Sequence, residues 1–202
     1  MKEICRGLGF PEGPIAMPDG SVILVEIQRG TLTRVLPNGE KQMVADCGGG
    51  PNGAALGPDG RIYVCNNGGF VWLEDGPFLR NGDFPPDDYK GGSIQVVDIE
   101  SGQVETLYTH CNGEPLKGPN DIVFDALGGF YFTDLGRRRG RLIDRGAVYY
   151  ATPDGNSIQE IVYPIDTPNG IGLSADEKTL YVAETLGARL WAWDIEAPGK
   201  LG

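Results

Sequence analysis

Apolar residues in this chain come in short bursts. Residues 21–26, 61–65, 130–134 and 179–184 each form a run of five or six positions rich in Val, Ile, Leu, Tyr and Phe. Runs of that length and content predict β-strands rather than helices. Each follows a turn: Pro18-Asp19-Gly20, Pro58-Asp59-Gly60, Ala126-Leu127-Gly128-Gly129, and Ala175-Asp176-Glu177-Lys178. Further strand-like runs lie at 30–36, 41–45, 93–99, 104–110 and 147–151, so the expected fold class is all-β.

The runs belong to a repeat. Four times a proline followed by Glu or Asn leads through a short apolar stretch to a turn and then a strand: Pro11-Glu12-Gly13-Pro14, Pro51-Asn52-Gly53, Pro119-Asn120-Asp121 and Pro168-Asn169-Gly170. Spacings of 40, 68 and 49 residues separate Glu12, Asn52, Asn120 and Asn169. With four short strands per copy, this is the period of a β-propeller blade. The longest interval holds an insertion at 74–90, expected to form a long loop on one rim. A smaller insertion contains Arg137, Arg138, Arg139 and Arg141. It reads first as a solvated basic loop, and alternatively as an anion or carboxylate clamp.

Composition narrows the function. Glycine (32) and proline (15) are abundant, as many tight turns require. A balance of 17 basic to 28 acidic residues gives a net charge of −11, which disfavours nucleic acid and anionic membrane surfaces as partners. The first residues show no secretory signal, and nowhere do eighteen apolar residues run together. Cys5, Cys47, Cys65 and Cys111 lack metal-type spacing and read as reduced thiols of a cytoplasmic protein, with Cys65 a buried small hydrophobe. His110 is the single histidine, which argues against a histidine-rich metal site.

Glu12, Asn52, Asn120 and Asn169 occupy one repeat position at the entry to the innermost strand, so radial symmetry aims them at a common axis. One carboxylate and several amide oxygens form the shell preferred by hard cations. Each Asn taken alone reads first as a turn former. The joint pattern favours the site, because separate turn elements lie downstream in the same repeats. Asn66 and Asn67 either line the pocket or form an ordinary turn. Asp121 either supports the shell or makes an Asx-turn. Glu26, Asp134 and Glu184 match one another across repeats and read as structural. Trp191 and Trp193 share a strand face and are expected to pack between blades.

Phe10-Pro11-Glu12-Gly13-Pro14, Gly118-Pro119-Asn120-Asp121, and Pro168-Asn169-Gly170-Ile171-Gly172-Leu173-Ser174 followed by Leu180-Tyr181-Val182-Ala183-Glu184-Thr185 resemble a known family. It is the senescence-marker-protein, gluconolactonase and luciferin-regenerating-enzyme family, which includes regucalcin. The resemblance implies a six-bladed β-propeller and hydrolysis of sugar lactones or similar cyclic esters, with a small-molecule lactone as partner. It also implies one divalent metal, Ca²⁺ foremost, with Zn²⁺, Mn²⁺ or Mg²⁺ as alternatives. Glu12 and Asn169 are then metal ligands, with Asn120 facing both metal and substrate. The metal set is Glu12, Asn120 and Asn169, and the repeat position of Asn52 and the pocket reading of Asn67 add these two to Asn120 as expected substrate-binding residues.

Some members carry an arginine two residues before the Asn matching Asn120, where this chain has Gly118. The family's aspartate, suited to the general-base role, is expected beyond Gly202. On this reading residues 1–202 are a single propeller domain truncated at its C-terminus, covering about four of six blades. A non-enzymatic calcium- or ligand-binding propeller is the alternative, and a protein-scaffolding propeller without metal is a third.

Overall fold

A computed structural model of the chain describes all residues except 77 and 83. Strands and turns account for its regular structure, and no helix is long and apolar enough to cross a membrane among the described residues.

The first sheet is a meander of β1 (Pro11–Ala16), β2 (Val22–Glu26), β3 (Thr31–Val35) and β4 (Lys41–Asp46). The second begins with β5 (Pro51–Leu56) and β6 (Ile62–Asn66). A separate hairpin of β7 (Trp72–Asp75) and β8 (Phe78–Asn81) intervenes before the sheet resumes with β9 (Ser93–Val97) and β10 (Val104–Tyr108). The small pair β11 (His110–Cys111) and β12 (Glu114–Pro115) leads to the third sheet. That sheet contains β13 (Pro119–Phe124) and β14 (Phe130–Asp134), then, past the hairpin β15 (Arg138–Arg139) and β16 (Leu142–Ile143), β17 (Gly146–Ala151) and β18 (Ile158–Ile165). The fourth comprises β19 (Pro168–Leu173), β20 (Thr179–Glu184), β21 (Arg189–Ala197) and β22 (Lys200–Leu201).

Four antiparallel four-stranded sheets thus follow the four sequence copies, and the all-β expectation holds. Two details differ. The insertion at 74–90 is not a plain loop, since Glu74-Asp75 and 78–81 take part in β7 and β8; its residues 77 and 83 lie outside the described residues. The run 104–110 divides at Thr109, with Tyr108 ending β10 and His110 starting β11.

Alternation along the second strand of each sheet builds the core. Ile62 and Val64 of β6 pack toward Ile23, Val25 and Leu32 of the first sheet, whereas Tyr63 and Cys65 face Phe130 and Phe132 of the third. Tyr131, between those two phenylalanines, turns the other way to meet Leu180, Val182 and Trp193 of the fourth. A strand whose successive side chains point to opposite faces can stack two neighbours at once, so β6 and β14 are buried throughout. Fully burying each large side chain contributes about 1.5–3 kcal/mol, which makes these faces the main source of cohesion. All four cysteines are free, and Cys65 is fully buried as expected.

The innermost strands β1, β5, β13 and β19 approach one another in series. Glycine makes this possible: a β-carbon on Gly13 would lie 2.6 Å from the backbone nitrogen of Ala54.

Candidate functional site

Each innermost strand contains a bulge at the same place. Between Glu12 and Ile15, Pro51 and Ala54, Pro119 and Ile122, and Pro168 and Ile171, three steps along the strand oppose two on its partner. A bulge re-aims side chains that regular pleating would send elsewhere. Glu12, Asn52, Asn120 and Asn169 all fall at these bulges, and all four line one cavity of about 160 Å³ together with Asp121.

The ring is built from differently exposed residues. Asn52 and Asn120 are buried, while Glu12 and Asn169 are exposed. None of the four side chains has a hydrogen-bond partner among the described residues, although Asn169 uses its backbone carbonyl to accept from Thr133 Oγ1 at 2.6 Å. Their oxygens are therefore not committed to holding the fold. One carboxylate with three amides is an oxygen-donor set that fits a hard divalent cation, and its low charge suits modest affinity. No three His, Cys, Asp or Glu side chains cluster in a metal-like group among the described residues, so the amides are essential to any such site.

Asp121 braces the ring. One carboxylate oxygen accepts the Ile122 N–H at 2.9 Å and the other the Ile171 N–H at 3.0 Å, tying β13 to β19. Burial pushes its carboxyl above the usual carboxylate range, while the two N–H bonds oppose that rise.

The residue paired with each bulge's proline is also equivalent: Glu26, Asn66, Asp134 and Glu184. Glu26 accepts from Gly9 N–H and from Thr33 Oγ1, and Asn66 Oδ1 from Gly50 and Gly68 N–H, each at 2.9 Å. Asp134 accepts three backbone N–H groups, from Lys117 and Gly118 at 2.7 Å and Gly136 at 2.8 Å. Glu184 takes the Asp166 N–H and the Trp191 indole N–H. All four fasten the segment that enters or follows the bulged strand, which is the structural role expected of three of them. Asn66 joins this set and is a fastener, whereas Asn67 is not.

A second cavity of about 330 Å³ adjoins the first, with Asn169 lining both. Asn67, Phe70, Gly118 and Arg137 line it as well. Arg137 departs from the solvated basic loop expected for its segment, being only 5% exposed. Its guanidinium lies 4.8 Å from the Phe70 ring centroid and 4.7 Å from that of Tyr89. One of its nitrogens, Nη2, donates to the backbone carbonyls of Asn67 and Gly69. Sequence reasoning could not foresee this burial, because both aromatic walls come from the second sequence copy, Phe70 just after β6 and Tyr89 from the insertion at 74–90. Gly118 is also explained: a β-carbon there would stand 2.6 Å from the Gly136 carbonyl oxygen, leaving no room for an arginine.

Residues 10–202 match the family model described as SMP-30/Gluconolactonase/LRE-like region. Lactonase drp35 of Staphylococcus aureus (strain bovine RF122 / ET3-1) is 33% identical over 184 residues, covering 89% of this chain and 49% of that protein. Its counterpart in Staphylococcus saprophyticus is 31% identical over 182 residues, covering 89% and 49%. The chain thus spans about half the length of the curated relatives it matches. Among solved structures, a gluconolactonase of Xanthomonas campestris superposes with a TM-score of 0.75 at 23% identity, covering 98% of this chain and 62% of that one. A calcium-binding protein, regucalcin, of Agrobacterium tumefaciens gives 0.70 at 18% identity, covering 97% and 58%. These two likenesses establish a shared propeller-type fold.

Proposed function

Because the chain belongs to the SMP-30/gluconolactonase/LRE-like family, we propose that it supplies four of six propeller blades to a divalent-metal-dependent lactonase acting on sugar lactones or similar cyclic esters. The observation that carries this reading is the ring of Glu12, Asn52, Asn120 and Asn169, set at four equivalent bulges around one cavity with side chains uncommitted to the fold.

In this reading Glu12, Asn120 and Asn169 hold the ion, and Asn52, Asn67 and Asn120 contact the lactone. A bound divalent ion, Ca²⁺ foremost, supplies Lewis acidity toward the acyl carbonyl. Asn120 and Asn169 orient the ester so that its carbonyl oxygen meets their side chains as charge develops there. Asn169 lines both cavities, so a substrate seated in the larger one reaches the ring beside it. Asp121 has both oxygens engaged by backbone N–H groups and serves as a brace; the proton acceptor is the aspartate that the family resemblance assigns to a later segment.

The test is proton release at constant pH from a panel of aldonolactones and simpler cyclic esters, with and without chelator, followed by metal add-back. Chelator-sensitive turnover supports the reading. Metal binding without turnover of any lactone by the complete protein would favour a non-enzymatic binding propeller.

A further inference from the structure

Two residues in the wall of the larger cavity each carry a buried donor with no partner among the described residues. Asn67 is 1% exposed; its Oδ1 accepts the Gly69 N–H at 2.8 Å, yet its Nδ2 has no partner. Arg137 Nε is likewise buried without a partner, although Nη2 of the same guanidinium bonds two backbone carbonyls. Both residues line this cavity, alongside Arg138. A buried donor left unmade costs about 1–3 kcal/mol, more when it is charged, so two in one wall point to an acceptor that arrives from outside.

Charge narrows the acceptor's identity. Arg137 forms no ion pair among the described residues; its Nη2 bonds two neutral carbonyls, two aromatic rings lie beside it, and the Tyr89 hydroxyl and the Asp134 charge act on it from nearby. Asp134, the nearby carboxylate, is occupied by three backbone N–H groups. Buried cations are ordinarily paired with an anion. A guanidinium buried beside two aromatic rings is not turned to solvent, so the anion must come to it. Phe70, Leu135, Ile143 and Leu186 make the remaining wall largely apolar, which suits a compact carbon skeleton between two polar ends.

We propose that Arg137 and Asn67 form an anion subsite, which takes a carboxylate carried by the substrate on the side away from the ester being cleaved. Resting on the lactonase reading above, this makes the preferred substrate class a lactone with a free carboxylate substituent. Arg137 supplies the charge and Asn67 a neutral N–H beside it. The ring at Glu12 and Asn169 meets the ester end, and Asn169 marks where the two cavities join.

The experiment uses the full-length protein loaded with Ca²⁺ and two kinds of probe. The first is a five-membered lactone carrying a carboxylate and its neutral methyl ester, compared by kcat/KM. The second is a series of open-chain dicarboxylates against monocarboxylates of equal length, compared by calorimetric Kd.

The wild type is expected to favour the carboxylated member of each pair by roughly tenfold to a hundredfold, the value of a charge-assisted hydrogen bond. Asn67→Asp keeps the acceptor for Gly69 N–H but replaces the free donor with a negative charge, and should abolish that preference. Arg137→Lys should reduce it, while Arg137→Met should remove it. The ratio within each pair is the readout, so a general loss of activity or folding cancels. Dicarboxylate preference that depends on Arg137 in a protein hydrolysing no lactone would keep the subsite and sink the lactonase reading. Equal treatment of charged and neutral probes, or a preference that survives Asn67→Asp and Arg137→Met, would overturn the subsite and leave the two residues as struts for the 67–69 turn.

Discussion

Gly53 and Asn120 lie so close that a β-carbon on Gly53 would sit 2.3 Å from the Asn120 carbonyl oxygen and 2.6 Å from the Asp121 Cα. Two innermost strands meet there, each bringing one member of the ring to the same cavity. Gly53→Ala cannot be absorbed by a side-chain shift, because both opposing atoms are backbone. The variant should lose about 1–3 kcal/mol in urea denaturation, and its metal affinity should fall as well, since β13 must move. Unchanged affinity with reduced stability would show that the ring tolerates displacement of β13.

Glu12→Gln separates the chemistry from the scaffold. Glu12 is exposed and makes no hydrogen bond or ion pair with the described residues, so its charge does little for folding. Metal affinity measured by calorimetry should drop on the order of tenfold or more, while the thermal midpoint of the metal-free protein stays within about 1 °C. Equal Ca²⁺ affinity in the variant would remove Glu12 from the shell.

Much of this arrangement was legible in the sequence because the repeat is written in residue types. Pro11-Glu12, Pro51-Asn52, Pro119-Asn120 and Pro168-Asn169 reveal equivalent positions without any knowledge of pairing. The bulges were not legible, since a register slip is a property of two strands and neither carries it alone. Arg137 misled for a related reason. Four arginines within five residues read as a solvated loop, but the burial of one depends on Phe70 and Tyr89, both from the second copy. Asn66 and Asn67 were indistinguishable as neighbours in Asn-Asn-Gly-Gly; strand alternation then sent one to fasten Gly50 and the other to the cavity wall.

Asp134→Ala should act on stability. Its carboxylate holds the N–H groups of Lys117, Gly118 and Gly136, the first two immediately before β13. Removal orphans three buried or part-buried donors at about 1–3 kcal/mol each, and relaxation and water will recover part of that. A loss of about 3 kcal/mol or more is expected in urea denaturation. A variant of native stability that has lost only turnover would instead mark Asp134 as a group acting in the reaction.

The alkaline limb of the stability profile follows from groups buried in their neutral form. Burial pushes the Cys47 thiol up to about 12 from an ordinary 9.0, assisted by the nearby Asp46 charge. Burial also raises the Tyr63 hydroxyl to about 12 from 10.0, helped by its hydrogen bond to Asp59. Both pKa values are higher in the folded chain than in the unfolded one, so the unfolded state releases these protons first as pH rises. Their contribution is complete below the unfolded values and is lost as pH climbs from about 9 toward 12 for Cys47, and from about 10 toward 12 for Tyr63. Cys47→Ala should flatten the lower part of that decline and Tyr63→Phe the upper part, each compared with wild type by urea denaturation at pH 8, 9, 10 and 11. A parallel check uses a thiol reagent at pH 8: partly exposed Cys5 should react at once, and Cys47, Cys65 and Cys111 only after denaturation. Rapid labelling of Cys47 in the folded protein would mean that the contact between the first and second sheets, where it packs against Ile62 and Val64, opens far more readily than its burial implies.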